Sequence, residues 1–389
     1  MPGRLHVAYH FLAHYRAAVF RLLAADPRWT CRFFADPSSA GIDPSIAVWS
    51  DCPADLLEPC RVRRLPGGGY VQWRTLWRIL VGPRATWLVL GDMRGLHVWL
   101  GAVLGRLRGH RVLFWAHGWT RSETGAKALL RRAFFRLAHG VVLYGRRARQ
   151  IAVAQGFPAE RLHVIYNSLD VAAQRAARAA VTPTSLAAFQ VQHGIAADRP
   201  ALICTTRLTR LRRLDLLIDA VAALPEPRPS VLLVGDGPER ATLHAHAAAR
   251  QVDARFLGAI YDEAVIAHVY ACARLTVAPG KVGLTAMHSM AYGVPVLTHG
   301  DADDQMPEWE AIVPGRTGDC FARSDVAAMR DAISHWLARA DRERIAADCA
   351  AVIDRFYNPE RQVRELARAI ANEAPTPVLG DRIQAEELA

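Results

Sequence analysis

The sequence predicts an α/β protein made of two doubly wound, Rossmann-like domains. The chain of 389 residues is long enough for two domains that each bury a core. Short apolar runs typical of buried parallel strands alternate with amphipathic helical segments along most of it. Polar or glycine-bearing segments follow most of the predicted strands, which is where such sheets bind ligands.

The two domains are expected to cover residues 1–190 and 191–356. The segment 171–197 is alanine-rich and has no clear strand pattern, so we interpret it as the connection between them. A helix over about 357–375 is expected to pack back on the first domain.

The first domain begins with an alternating strand at Leu5–Tyr9 and a helical repeat at His14–Ala24. Further strands are predicted at Cys31–Phe34, Trp87–Leu90, Arg111–Trp115, Gly140–Tyr144 and Leu162–Tyr166. The candidate site loops are the segments that follow strands, namely His10–His14, Gly91–Asp92, His117–Trp119 and Asn167–Ser168.

Two helical segments of the first domain are both apolar and basic. The segment Gly67–Val81 places Trp73, Leu76, Trp77 and Leu80 on one stripe beside arginines, and Ala126–Gly140 interleaves Leu129, Leu130, Phe134 and Leu137 with cations. Either each stripe packs on the sheet, or it lies in a membrane interface.

The second domain starts near Pro200 with a regular strand and helix alternation. Strands are predicted at Ala201–Leu208, Ser230–Gly237, Ala254–Gly258, Arg274–Pro279 and Val294–His299, with helices between them and a helical tail from about Asp325. The segment Ala278–Val296 is a glycine loop followed by a helix and a stop at Gly293 and Pro295. Such a loop either binds a phosphate or sugar, or simply begins a helix.

Positive charge is concentrated in the first half of the chain. Residues 1–190 contain 26 Lys and Arg and 10 Asp and Glu, whereas residues 191–389 contain 22 Lys and Arg and 27 Asp and Glu. The formal net charge of the whole chain is +11 at pH 7. The excess indicates an anionic partner, which is a membrane surface, a phospholipid-like substrate or nucleic acid. No helix-turn-helix, zinc, RNP or KH pattern is present, so nucleic acid is not an expected partner.

The chain has the features of a cytoplasmic protein. No stretch of about 18 residues is free of charge, so no transmembrane helix is expected, and the first residues lack the pattern of a cleaved signal peptide. The seven cysteines are scattered and form no CxxC pair, so we expect them to be reduced. We expect a cytoplasmic location, peripheral on the inner membrane face where the basic half meets lipid.

Arg207 and Arg212 follow the first strand of the second domain, in TTRLTRLRRLDLLIDA. Two cations five residues apart at the carboxyl end of a strand are placed to hold a diphosphate through charge-assisted hydrogen bonds. The alternative is that they form a solvated cluster with Arg210 and Arg213.

Four ordered motifs in the second domain resemble those of a known family. RLTRLRRLDLLIDA, VLLVGDGPER, ARFLGAIYDE and GLTAMHSMAYGVPV are similar to the motifs of retaining GT-B glycosyltransferases of the large family 4, the glycosyl transferases group 1. They span Arg207 to Val296. The first half resembles the family more weakly, in HYRAAVFRLLA, in Trp115–Gly118 and in Ile165–Asp170. The resemblance implies the GT-B fold, two Rossmann-like domains facing across a cleft.

The resemblance also implies roles for individual residues. Arg207 and Arg212 would grip the diphosphate of a nucleotide-sugar donor, with Arg212 in the position of the family's lysine. His117 would approach the donor sugar, and Ala259 and Ile260 would present backbone groups to the base. The donor loop would consist of Gly280, Lys281, Val282, Gly283 and Leu284. We place His14 and Asn167 on the acceptor side.

One departure from the family concerns the donor loop. The family carries two glutamates eight positions apart in this loop and the helix that follows it. The corresponding residues of this chain are Gly280 and His288. A glycine has no side chain that can hydrogen-bond to sugar hydroxyls, so that role would pass to Lys281 or Glu310. His288 either contacts the donor ribose or packs as a helix histidine.

No metal and no cofactor are expected, because the arginine pair and the helix can stabilise a leaving diphosphate. Asp301-Ala302-Asp303 looks like the metal-binding DxD of the other glycosyltransferase fold, but follows the wrong strand.

The sequence thus predicts a hexosyltransferase whose donor is a nucleotide diphosphate-sugar, acting with retention of configuration as the resemblance implies. Its acceptor would be a glycan, lipid-linked, in surface polysaccharide or glycolipid assembly. The alternatives are a nucleotide-sugar epimerase of the same architecture and a nucleotide-sugar-binding protein without catalysis.

Overall fold

A computed structural model describes residues 2–43 and 46–388 of the chain. Contacts divide the chain into two compact units. Unit 1 is Met1–Asp170 together with Pro359–Asp381, and unit 2 is Val171–Asn358 together with Arg382–Ala389. The boundary therefore lies at Asp170, whereas the sequence interpretation put it at residue 190. The alanine-rich segment belongs to unit 2, and the C-terminal helix belongs to unit 1.

Each unit contains one parallel sheet. The strands of unit 1 are β1 (Gly3–Phe11), β2 (Trp29–Asp36), β3 (Leu57–Pro59), β4 (Arg63–Arg64), β5 (Tyr70–Val71), β6 (Thr86–Leu90), β7 (Arg111–Ala116), β8 (Gly140–Leu143) and β9 (Leu162–Val164). The strands of unit 2 are β10 (Ala201–Thr205), β11 (Ser230–Val234), β12 (Ala254–Gly258), β13 (Ala273–Ala278), β14 (Val296–His299) and β15 (Gly318–Phe321).

The helices cover the faces of these sheets. Unit 1 begins with α1 (Ala17–Ala25), α2 (Trp73–Val81), α3 (Leu96–Leu107), α4 (Gly125–Arg136) and α5 (Arg146–Ala154). Unit 2 contains α6 (Val171–Ala180), α7 (Pro183–His193), α8 (Leu214–Ala222), α9 (Arg240–Ala249), α10 (Glu263–Cys272), α11 (Thr285–Ala291), α12 (Val326–Ala338) and α13 (Arg342–Phe356). The returning segment of unit 1 forms α14 (Pro359–Ala371).

The sheet of unit 1 has the order β3-β2-β1-β6-β7-β8-β9, and β4 and β5 form a small antiparallel pair beside it. All neighbouring strands of the large sheet are parallel. Both faces are covered, one by a cluster around Phe20, Phe33 and Trp115 and the other by a cluster around Trp87 and Phe114. A parallel sheet buried on both faces explains the continuous apolar runs of its strands.

The sheet of unit 2 has the order β12-β11-β10-β13-β14-β15, again parallel throughout. The direction of winding reverses between β10 and β13, which is the strand order of a dinucleotide-binding Rossmann sheet. The predicted strands of both units are present. The sequence interpretation missed β15 and the short strands β3, β4 and β5, which give only weak apolar patterns.

The apolar stripe of α2 faces outward. Trp73 and Trp77 are 57% and 59% exposed, and the buried residues of the helix are Thr75 and Ile79. Packing of this stripe on the sheet, one of the two interpretations above, is therefore wrong. Arg74 and Arg78 help to set the orientation, because both donate to the buried carboxylate of Glu58, at 2.7 and 2.8 Å.

The stripe of α4 is divided between core and surface. Phe134 and Phe135 are fully buried against the sheet, whereas Leu129 and Leu130 are exposed. A membrane role for Phe134 is therefore wrong, since its ring is part of the core of unit 1. Among the described residues, no helix has both the length and the apolar character needed to cross a bilayer.

Candidate functional site

Two loops meet at the winding reversal of unit 2. The loop after β10 carries Arg207 and Arg212, and the loop after β13 begins at Pro279. They are hydrogen-bonded to each other, because the N–H of Gly280 donates to the carbonyl of Arg212 at 3.1 Å. The guanidinium of Arg212 donates back to the carbonyl of Lys281. Arg212 is thus held against the glycine loop at the position where Rossmann sheets bind ligands.

Gly280 lies at the closest approach of the two loops. A Cβ atom at this position would lie 2.3 Å from the carbonyl oxygen of Leu211 and 2.9 Å from the Cα of Arg212. Backbone atoms cannot move aside as a side-chain end can, so only glycine allows the two loops to approach this closely.

The motif VLLVGDGPER supports the arginine loop. The N–H of Leu208 donates to the carbonyl of Asp236 at 3.0 Å, which ties the exposed Arg207 segment to the turn after β11. A Cβ atom at Gly235 would lie 1.9 Å from the carbonyl oxygen of Thr206. The glycine of this turn is therefore needed for the contact between the two loops.

The rest of the donor loop is partly engaged within unit 2. The N–H of Val282 donates to the side chain of Gln305 at 3.0 Å, so this predicted ligand-binding donor already has an acceptor. The ammonium of Lys281 lies 3.2 Å from Asp304. Gly283 has φ of 52° and open space around it, and Leu284 precedes α11. Gly283 thus gives the loop its turn into the helix.

His288 on α11 faces a carboxylate that the sequence interpretation did not select. Its Nε2 atom lies 3.4 Å from Oε1 of Glu263, and the hydroxyl of Tyr292 donates to the same oxygen at 2.6 Å. Burial alone would raise the pKa of Glu263. The hydrogen bond and charge of His288 and the hydrogen bond from the Tyr292 hydroxyl outweigh burial, so the pKa of Glu263 is lowered. The signal was present, because Glu263 is the last residue of the quoted motif ARFLGAIYDE.

The remaining predicted donor residues differ in accessibility. Ala259 is exposed and Ile260 half-buried after β12. Glu310 lies in the short helix Pro307–Ala311 and is only 2% exposed. Its side chain is therefore less accessible to a ligand than that of Lys281.

The DxD-like segment is paired with an arginine. Asp301 accepts a hydrogen bond from Arg323 at 2.9 Å, which lowers the pKa of Asp301, and Arg323 also contacts Asp304 at 2.8 Å. Across residues 2–43 and 46–388, no group of three or more His, Cys, Asp or Glu side chains is suited to hold a metal ion.

Unit 1 contains a cavity of about 520 Å³ at the carboxyl ends of β1, β6 and β7. Three of the four predicted site loops contribute to its walls, through residues such as His10, Asp92 and His117. The fourth does not, since Asn167 is buried and accepts from the N–H of Ser168 at 3.2 Å. His14 also lies outside the lining, exposed, with its Nδ1 3.1 Å from the carbonyl of Ala47. The two predicted acceptor-side residues are thus not in the cavity.

The two histidines of the cavity are neutral near pH 7. Burial lowers the pKa of His10 to about 4, and its Nδ1 accepts from the N–H of Phe11. His117 is exposed at the cavity wall, but desolvation by the surrounding protein atoms and the charge of Arg16 lower its pKa as well. A neutral imidazole both donates and accepts, which suits recognition of hydroxyl groups.

The cavity also contains residues that sequence reasoning did not select, namely Tyr9, Tyr15, Arg16, Arg94, Arg131 and Tyr144. Tyr15 and Arg16 had a signal in the sequence, as part of the segment HYRAAVFRLLA.

Comparison with protein families matches residues 199–339 to the family described as Glycosyl transferases group 1. Glycogen synthase from Dechloromonas aromatica is 30% identical over 153 residues, which are 37% of this chain and 32% of that protein. The GDP-mannose-dependent alpha-(1-6)-phosphatidylinositol dimannoside mannosyltransferase of Mycobacterium tuberculosis is 30% identical over 158 residues, 39% of either chain. This chain therefore spans only about a third to two fifths of these relatives.

Solved structures resemble almost the entire chain. A glycosyltransferase from Rickettsia africae has a TM-score of 0.72 at 12% identity, and Anabaena HepE in complex with UDP has 0.70 at 17%, each covering 95% of this chain and 99% of the other. WaaG, a glycosyltransferase involved in lipopolysaccharide biosynthesis, has a TM-score of 0.61 at 14% identity, covering 92% and 98%. At these identities the likeness shows the fold, and the prediction of a GT-B fold with two Rossmann-like domains is confirmed.

Proposed function

We propose that the protein is a glycosyltransferase that moves a sugar from a nucleotide diphosphate-sugar to a glycan acceptor. The observation that carries the proposal is the junction of Arg212 with Gly280 and Lys281 at the winding reversal of unit 2. It lies inside the segment that matches Glycosyl transferases group 1. The structural neighbour HepE binds UDP, and a curated relative is named for its use of GDP-mannose.

The proposed chemistry depends on the arginine pair. The bond between the anomeric carbon and the diphosphate oxygen breaks, a bond to an acceptor hydroxyl oxygen forms, and the hydroxyl proton is released. Arg207 and Arg212 stabilise the negative charge that grows on the leaving diphosphate, with no metal ion. We propose that the configuration is retained, as in the family that the motifs resemble.

Other residues orient the donor in this proposal. His288 and Glu263 together present an imidazole and a carboxylate for the ribose hydroxyls, and Ala259 and Ile260 contact the base. Lys281 contacts the sugar more readily than Glu310 does, because it is less buried. His117, neutral and lining the cavity of unit 1, would bind a sugar hydroxyl.

For the acceptor, we propose a lipid-linked glycan at an anionic membrane surface. The support is the exposed apolar surface formed by α2 and α3, which we call the α2–α3 face. It consists of Trp73, Trp77, Leu80, Val81, Leu96, Leu100, Val103 and Leu107. Arg74 and Arg78 accompany the α2 residues, and residues 1–190 carry 26 cations against 10 acids. Aromatic and basic residues in one exposed surface favour binding at a bilayer interface.

The test is turnover with a panel of nucleotide sugars and a mixed pool of lipid-linked and soluble glycans, in buffer with and without EDTA. We expect release of a nucleoside diphosphate only when an acceptor is present, unchanged by EDTA. Conversion of the donor to another nucleotide sugar without an acceptor would instead indicate an epimerase. Donor binding without turnover on any acceptor would indicate a binding protein, and recovery of activity by Mn²⁺ after EDTA would refute metal independence.

A further inference from the structure

The cavity of unit 1 contains a buried cation without a counter-ion. Arg16 lines the cavity and is only 7% exposed. Its Nη1 atom is inaccessible to solvent and has no hydrogen-bond partner among the described residues. Within residues 2–43 and 46–388, no carboxylate forms an ion pair with it at 4.0 Å or less.

Aromatic rings surround Arg16 instead of carboxylates. The guanidinium carbon lies 4.9 Å from the ring centre of Tyr144, 5.2 Å from Trp115, 5.4 Å from Tyr15 and 5.8 Å from Tyr9. These faces attract a cation and hold its plane in place, but they do not neutralise its charge. An arginine remains protonated in such a site, so the charge persists.

The other arginines of the cavity are neutralised. Arg94 donates to Asp92 at 2.9 Å, and Arg131 donates to Glu123 at 2.8 Å. Arg16 is therefore the one arginine of the described cavity lining that lacks a carboxylate partner. Buried charges are normally paired, because removal from water is costly without a partner. A partner supplied by a ligand would remove that cost.

We propose that the cavity of unit 1 binds an oxyanion, a phosphate or carboxylate group of the acceptor, and that Arg16 is its counter-ion. The assignment to the acceptor rests on the proposed function, whereas the anion site itself rests on Arg16 and the cavity. The volume of about 520 Å³ is in the range of small-molecule sites. The neutral His10 and His117 add hydrogen-bonding groups beside the cation without adding charge.

The test is calorimetric titration of the full chain with two probes, inorganic pyrophosphate and glucuronate. The background is the Arg207→Ala/Arg212→Ala double variant, which removes the candidate diphosphate site of unit 2. In this background we expect Arg16→Met to weaken binding of at least one probe by 10-fold or more. The matched control is Arg21→Met in helix α1, which directly follows Arg16; Arg21 is exposed and contacts Asp170 at 3.4 Å, and its replacement should change affinity by less than 2-fold.

The two probes distinguish the sources of the oxyanion. Loss of pyrophosphate binding alone indicates a phosphorylated acceptor, and loss of glucuronate binding alone indicates a carboxylated sugar. Equal affinities in the Arg16→Met and Arg21→Met variants for both probes would overturn the proposal. So would the absence of binding by the background chain.

A thermal measurement separates a binding role from a structural one. Because Arg16 is an unpaired buried charge, Arg16→Met should melt at or above the temperature of the parent chain in the absence of anion. If Arg16→Met does not fold, the role of Arg16 is structural in that respect, and Arg16→Gln then decides the binding role. Glutamine keeps hydrogen-bonding groups but not the charge, so 10-fold or greater weakening supports the proposal and unchanged binding overturns it. None of these measurements needs sugar transfer, so they fail or succeed independently of the proposed function.

Discussion

The Nε2 atom of His288 lies 3.4 Å from a carboxylate oxygen of Glu263, in unit 2. Glu263 therefore places a carboxylate beside His288, the residue that corresponds to a glutamate in the family that the motifs resemble. If the pair binds the donor ribose, Glu263→Ala should raise the KM for the donor about 10-fold with little change in kcat, because hydrogen bonds to a charged group contribute about 1.5–3 kcal/mol.

Steady-state kinetics over a range of donor concentrations measures this, with Asp331→Ala as the control. Asp331 is exposed and pairs with the neighbouring Arg330, so its removal should not affect the donor. An unchanged KM for the donor in Glu263→Ala would indicate that the pair does not bind the ribose and that His288 only packs within unit 2.

Arg212→Ala should lower kcat at least 10-fold, because the leaving diphosphate loses about 1.5–3 kcal/mol of stabilisation. The structure offers a matched control in Arg210, which belongs to the same short helical turn and is 91% exposed. Arg210→Ala should change kcat less than 2-fold. Equal effects of the two substitutions, with both folds intact by circular dichroism, would contradict the diphosphate role of Arg212.

A glutamate at Gly280, as in the family that the motifs resemble, should lower the stability of the protein. In Gly280→Glu the new Cβ would meet the backbone of Leu211 at 2.3 Å, so we expect a lower melting temperature by differential scanning fluorimetry. Gly283→Asn is the control, because Gly283 has open space and a left-handed backbone that asparagine tolerates. A Gly280→Glu variant as stable as Gly283→Asn would show that the loops separate easily.

Replacing Trp73 and Trp77 together with serine should abolish flotation with anionic liposomes while leaving the melting temperature within a few degrees. Both side chains are more than half exposed, so their removal costs the core little. Phe134→Ala is the contrast, because Phe134 is fully buried and its loss should cost about 3–5 kcal/mol of unfolding free energy. Equal flotation on neutral and anionic vesicles at low salt would contradict the role of the α2–α3 face.

Stability should fall as the pH drops from 6.5 towards 4. Burial lowers the pKa of His6, His97 and His163 to about 4, so in this range the unfolded chain binds more protons than the folded one. For His97 alone, the loss between pH 6.5 and pH 5 should be about 1.6 kcal/mol, because the unfolded histidine is already half protonated at pH 6.5. His97→Phe should therefore lose less stability over this range, by urea unfolding at both pH values. Parallel losses in the two proteins would contradict the assignment.

The positions of the candidate site residues in unit 2 were largely predictable, because their signals are local. Arg207, Arg212 and the loop Gly280–Leu284 stand next to strands whose apolar runs are unmistakable, and parallel strands bring their carboxyl ends to one edge. The contact of Glu263 with His288 could not be predicted, although Glu263 ends the motif ARFLGAIYDE, because a linear motif does not show that α10 and α11 bring the two side chains together. The same limit applies to His14 and Asn167, which follow predicted strands on the acceptor side but do not line the cavity of unit 1.

The sequence alone determined the alternation of strands and helices, and with it the two Rossmann-like units, because hydrophobic periodicity is a property of neighbouring residues. Only the tertiary structure decided which apolar residues are covered. Trp73 and Phe134 lie in similar basic, amphipathic stripes, yet one is exposed and the other buried. It also decided that Arg16 lacks a carboxylate partner while Arg94 and Arg131 have one. Burial and charge pairing depend on residues distant in the chain, and for that reason the anion site of unit 1 could be inferred only from the folded protein.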